Sequence, residues 1–197
     1  MDIKKYDLEN IEKWMQEKND SPDGWIYIGN QNERYLLGQP GKRNILVFGV
    51  NPSTAVPRKD DPTIRKVRNI VQHEGYDGWI MVNLYPLIST NPDDLPEESD
   101  EKLVKNNLDV LEAVAKSYYI DRIWAAWGDI IEKRFYLGDG LYDIQELLCC
   151  IDAEWYYRGS RTKKGNPRHP LYMRLDEPMN WFAVADYAAL WRYANIC

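Results

Sequence analysis

Four apolar runs, Ile45–Val50, Trp79–Leu84, Ile120–Trp127 and Glu154–Tyr157, are spaced along the chain with segments of helical period between them. A nearly unbroken apolar run fits a strand covered on both faces, as in a parallel sheet, better than a strand with one face in water. The intervening segments carry their own signals. Asp61-Pro62 offers a capping carboxylate followed by proline at the first helical position. Ile64, Val67, Ile70 and Val71 then recur on one face, and Gly75 ends the helix. An acidic connector, Asn91–Asp100, leads into a helix over Glu101–Lys116 with Leu103, Val104, Leu108, Leu111 and Val114 inward. Helical segments lie within Ile130–Cys150, interrupted around Gly138 and Gly140, and Ala183–Ala194 forms a closing helix. Such alternation predicts an α/β fold: a three-layer α/β/α sandwich around a short, mainly parallel four-stranded sheet.

Ahead of the first run, Leu8–Lys18 has helical spacing, with Ile11, Trp14 and Met15 on one side. Trp25–Gly29 and Arg34–Leu37 read as a hairpin. The 197 residues are enough for a single core. The expected organisation is one domain, 1–197, with an N-terminal helix and hairpin (1–40) packed on an α/β core (41–197). The tryptophans Trp124, Trp127 and Trp155 are expected in the core or on the sheet, and His73 at the end of a helix.

A net charge of −6 argues against coating nucleic acid by bulk attraction, so any polyanion contact must be local. Cys149 and Cys150 are adjacent and Cys197 is terminal, which excludes a disulfide framework or a four-thiolate cluster within one chain. The adjacent pair is expected to pack as small apolar side chains. The start lacks a secretion signal, and no apolar run approaches the roughly 20 residues that span a bilayer. The expectation is a cytoplasmic, reduced, monomeric protein with no membrane partner, metal or cofactor.

In an open α/β sheet, ligands bind beyond the carboxyl ends of the strands. There the sequence places Asn51-Pro52-Ser53, Asn83-Leu84-Tyr85-Pro86, Gly128 and Arg168-His169-Pro170. A plain strand-to-helix turn needs a glycine or a cap, and not an amide pinned in front of proline. Taken singly, Asn51-Pro52 is a rigid turn, Asn83 a strand-end amide and His169 a polar loop residue. Taken together, they predict one crevice.

At these residues the chain resembles the uracil-DNA glycosylase superfamily. Its first motif reads Gly-Gln-Asp-Pro-Tyr in one branch and Gly-Ile-Asn-Pro-Gly in the mismatch-specific branch, and Gly49-Val50-Asn51-Pro52-Ser53 is nearest the second. The superfamily's strand-end asparagine is matched by Asn83, its glycine-terminated strand by Trp127-Gly128, and its DNA-entering loop by His169-Pro170. All four occur in order between Gly49 and about Met173. Departures are Ser53 for tyrosine and Leu171-Tyr172-Met173 after the His-Pro pair. The iron-sulfur branches need more cysteines than this chain has. The chain also resembles a bacterial and phage family with Asn-Pro-Ser-Thr-Ala and Pro-Arg-His-Pro signatures, which brings no established activity.

The resemblance implies a metal-free DNA glycosylase that hydrolyses the N-glycosidic bond of a flipped pyrimidine and leaves an abasic site. Asn51 would position water, with Asp60 or Asp61 as alternative proton acceptor, and His169 would assist the departing base. Asn83 would read the base edge, with Gly49, Val50, Pro52, Ser53, Tyr85 and Gly128 as walls. Ser53, where the uracil branch has a blocking tyrosine, implies room for 5-modified bases, and a role against phages with modified DNA would fit such a substrate. Arg158, Arg161, Lys163, Lys164 and Arg168, together with Arg58 and Lys59, would form a basic rim, with Leu171 and Tyr172 as wedges. The same basic run also reads as a solvated hairpin. Two other functions fit the sequence: a nucleotide- or nucleoside-processing enzyme, and a non-catalytic DNA-binding module.

Overall fold

The computed structural model describes residues 8–18 and 23–193, so Ala194 of the expected closing helix and Cys197 lie outside the described residues. Seven strands form one sheet: β1 (Ile26–Gly29), β2 (Arg34–Gln39), β3 (Asn44–Gly49), β4 (Gly78–Asn83), β5 (Ile120–Ala125), β6 (Glu154–Arg158) and β7 (Met179–Trp181). Their order is β1-β2-β4-β3-β5-β6-β7. The four runs read from sequence are β3 to β6, which are parallel neighbours at the centre. The sheet as a whole is mixed, and here the expectation is corrected. The hairpin does not pack on a four-stranded sheet but extends it, through antiparallel pairing of Leu37, Gly38 and Gln39 with Met81, Ile80 and Trp79. On the other edge β7 adds antiparallel to β6. Its sequence, Met-Asn-Trp, is too short to show a period.

Alternation along the central strands divides the core. Ile45 and Val47, with Trp79, Met81 and Trp124, meet α2 (Pro62–His73) through Ile64, Val67, Ile70 and Val71. Leu46 and Phe48, with Ile80, Val82 and Ile123, face the opposite side. There they meet α1 (Leu8–Lys18), α3 (Glu101–Ser117), α4 (Phe135–Leu148) and α5 (Val184–Tyr193). Helices thus cover both faces, and the central strands β3 and β4 are buried along their length. Asn107 and Val110 take the inward face of α3 with Leu103, Leu111 and Val114, while Val104 and Leu108 are only partly buried. His73 closes α2 beside Glu74, and Gly75 at φ +78° turns the chain away. Among the described residues no helix is long and apolar enough to cross a membrane.

Two local expectations fail. Cys149 and Cys150 are exposed just past α4, where the helix has run off the core. The helix itself runs unbroken through Gly138 and Gly140. Gly138 is a contact residue: a Cβ there would lie 2.1 Å from Trp191 Cδ2 of α5, whereas a Cβ at Gly140 would meet nothing within 4 Å. The two alanine substitutions should therefore differ in sign. Gly140→Ala is expected to stabilise by about 0.5–1 kcal/mol through backbone entropy. Gly138→Ala should lose about 1–3 kcal/mol as α5 is pushed away. Thermal melts of the two single variants check this.

Candidate functional site

Beyond the ends of β3 and β4 the two chains stay stitched together. Leu84 N–H donates to Gly49 O (3.0 Å), Tyr85 N–H to Val50 O (2.9 Å) and Ser89 N–H to Pro52 O (3.0 Å). Asn51 completes the seam, its Nδ2 donating to Ser89 O at 2.9 Å and Pro52 O at 3.2 Å. The donor end of this amide is spent on the turn, while Oδ1 has no partner among the described residues. One end of the side chain thus serves the turn, and the other is left without a partner.

Gly49, Val50, Asn51 and Ser53 form one side of a cavity of about 70 Å³, with Asp61, Thr63 and His169 among the other walls. Gly49 is required by close approach: a Cβ would lie 2.8 Å from both Asn83 Oδ1 and Met81 Cε. Asn83 therefore sits directly behind Gly49, 1% exposed, with neither Oδ1 nor Nδ2 paired. A buried polar atom without a partner costs about 1–3 kcal/mol, so this amide is a poor choice for structure alone.

His169 reaches the cavity because its loop is pinned from below. Gly128, at φ +68°, donates to Pro167 O at 2.9 Å, and a Cβ on it would press within 3.3 Å of His169 Cβ. Asn166, 2% exposed, donates to Asp129 Oδ1 (2.9 Å) and Glu132 Oε1 (2.6 Å) and accepts from the Tyr187 hydroxyl (2.6 Å). His169 Nδ1 accepts from Leu171 N–H at 3.4 Å, which places the proton of the neutral ring on Nε2. Burial lowers its pKa below the usual histidine value, and the charge of Asp61 opposes that shift. His169 is therefore a neutral Nε2–H donor at pH 7.

The same histidine borders a second, open groove of about 890 Å³ with Lys163, Lys164, Arg168, Leu171 and Tyr172. Leu171 and Tyr172 are 45% and 75% exposed. Lys164 pairs with Glu132 at 2.5 Å, and Arg168 Nε donates to Ser160 O. Arg161 lies over the Tyr157 and Phe182 rings, away from the groove lining. Arg58 pairs with Asp23, and Lys59 forms a backbone bridge with Val56.

Three residues assigned to the site from sequence have other work. Arg158 is wholly buried and holds Glu74 Oε1 at 2.6 Å, so it cannot touch a phosphate backbone. Tyr85 is 1% exposed, its hydroxyl accepts from Asp100 N–H at 3.0 Å, and it packs on Tyr136. Asp60 pairs with Arg68 at 2.6 Å. Asp61 does reach the cavity while capping α2 through Ile64 N–H at 2.8 Å. Pro52 is buried in the seam.

Arg34, which the sequence reading passed over, is the main addition. It opens β2, is 3% exposed and lines the cavity. Its Nη1 donates to Ala55 O at 2.9 Å and its Nε is unpaired. Burial lowers its pKa to about 10, and the nearby Asp61 carboxylate opposes that shift. A cation opening an apolar strand is a signal only once that strand is known to lie inside the sheet. Among the described residues no cluster of histidine, cysteine and carboxylate side chains has the makings of a metal site.

The family model described as a protein of unknown function (DUF1643) matches residues 34–171. Comparison with curated proteins and with solved structures gives no match.

Proposed function

The chain belongs to the DUF1643 family, whose matched segment carries every wall of the cavity, and we propose that this site takes a pyrimidine nucleotide swung out of DNA and hydrolyses its N-glycosidic bond. The observation that carries the reading is that Asn51 and His169 line one cavity, and that His169 also borders an open groove with basic residues and two exposed apolar side chains. The four central parallel strands, with Asn51 just past β3, Asn83 ending β4, Gly128 just past β5 and His169 in the loop after β6, support the likeness to the uracil-DNA glycosylase fold.

In this mechanism the free Oδ1 of Asn51 holds a water beneath the sugar. The water oxygen bonds to the anomeric carbon as the carbon–nitrogen bond breaks, and the bonding pair leaves with the base. His169 Nε2–H stabilises the departing base, and Asp61, whose Oδ1 caps α2, accepts the water proton. Asn83, shut behind Gly49 and outside the cavity lining, does not reach the base from where it stands. Leu171 and Tyr172 fill the stack the base has left. The cavity is about half of the ~150 Å³ that accepts a benzene ring, so base entry moves a wall. His169, which borders both the cavity and the groove, belongs to the wall that would move. Ser53 leaves one side of the cavity short, which favours 5-substituted pyrimidines, phage-modified bases among them.

The test is incubation with oligonucleotides bearing uracil, a thymine mismatch or a 5-modified cytosine, followed by alkali. Strand breaks at one of these bases are expected. Turnover of free nucleotides without any abasic product would replace this reading with that of a nucleotide-processing enzyme, which the buried cation Arg34 favours.

A further inference from the structure

We infer that the Nε–Nη2 edge of Arg34 holds two oxygens of a phosphate group on the ligand. The inference rests on the reading that the cavity takes a nucleotide unit, and it names the group that anchors it. Arg34 Nη1 is occupied by Ala55 O. The opposite edge of the guanidinium, Nε and Nη2, has no partner among the described residues, and Nε is buried. That edge is the side-on fork, two parallel N–H donors at the spacing of two phosphate oxygens.

Arg34 forms no salt bridge among the described residues, which is unusual for a guanidinium 97% removed from water. The Asp61 carboxylate acts on this cation from across the cavity without a direct hydrogen bond, which leaves the fork free for the oxygens of a ligand. Thr63 on the cavity wall has a hydroxyl to offer the same oxyanion. Asp61 lines the same cavity and its carboxylate opposes an incoming anion, so affinity depends on the direct fork. Two sources share this chemistry, the 5′-phosphate of a free deoxynucleotide and a backbone phosphate of an extruded one.

Calorimetric titration of the whole protein with inorganic phosphate, a deoxynucleoside, its 5′-monophosphate and a short single-stranded oligonucleotide tests the assignment. The monophosphate is expected to bind about 10- to 100-fold more tightly than the nucleoside, and Arg34→Met to remove that advantage. Asp61→Asn, which keeps the helix cap, should strengthen inorganic phosphate binding several-fold. Tight oligonucleotide binding that is lost in Arg34→Met identifies the backbone as the source. Monophosphate binding alone identifies the free nucleotide. If Arg34→Met does not fold, the Asp61→Asn gain and a phosphate-specific rise in wild-type Tm over chloride at matched ionic strength decide the matter. Equal affinity for nucleoside and monophosphate overturns the inference, as does phosphate binding indifferent to Asp61→Asn. Abasic sites formed without a phosphate advantage sink this inference alone, and a phosphate advantage without abasic sites sinks only the catalytic reading.

Discussion

Arg158→Ala is expected to lower the unfolding free energy by about 3–5 kcal/mol, the range for breaking one side of a buried ion pair. The side chain is fully buried at the end of β6, and its guanidinium is shared three ways. Nη1 donates to Glu74 Oε1 at 2.6 Å, Nε to Arg174 O at 3.2 Å and Nη2 to Leu175 O at 2.5 Å. Alanine leaves two carbonyls without donors and leaves Glu74, 17% exposed, with Arg122 at 3.3 Å as its remaining arginine. Urea denaturation should show a lower midpoint with an unchanged slope. The Arg158→Met, Glu74→Gln pair should recover part of the loss, because removing both partners avoids a stranded charge. The basic-rim reading predicts the opposite profile for Arg158, weaker DNA binding at unchanged stability. That profile is expected instead at Lys163 in the groove wall.

The second large effect concerns His169. If it assists the leaving base, His169→Ala should reduce kcat/KM by about 10²–10⁴-fold at nearly wild-type Tm. The active ring is neutral, with Nδ1 accepting from Leu171 N–H, and protonation removes that acceptor. Activity should therefore fall toward acid pH through a pKa below 6.5, because burial holds the folded value down. Stability follows the same sign. Between the ordinary value and the lowered one the unfolded chain binds more protons, so stability decreases as pH falls through that window. His169→Ala should flatten this acid limb, and a pH profile of the variant measures it. An acid limb unchanged in the variant would remove His169 from the chemistry.

The central strands, α2 with its Asp61-Pro62 start and the closing helix were legible because each carries an unbroken apolar run or a one-face period. Sheet edges were not, since pairing partners leave no mark in a strand's own residues. Leu37 finds Met81 across 44 residues of chain, and β7, at three residues, is too short to repeat an alternation. Gly138 read as a breaker because glycine looks the same whether it ends a helix or admits a neighbouring ring. Of the groups singled out beyond the strand ends, Asn51 and His169 line the cavity, whereas Asn83 is shut behind Gly49. Arg34 lay in a segment read as peripheral, and Asn166 supports the loop through contacts with Asp129, Glu132 and Tyr187 that are far apart in sequence. Arg158 misled because charge counted along a segment ignores which face of β6 each residue takes.

The seam joining Gly49–Pro52 to Leu84–Ser89 has a thermodynamic consequence for whatever enters. Five hydrogen bonds, three between backbones and two from Asn51, hold this rim through the protein's own groups. Ordering of the rim therefore belongs to folding, and an arriving molecule meets a preorganised edge with little configurational entropy left to lose. Discrimination among ligands at this edge then follows shape and donor–acceptor match, while whatever plasticity the site has belongs to the opposite bank.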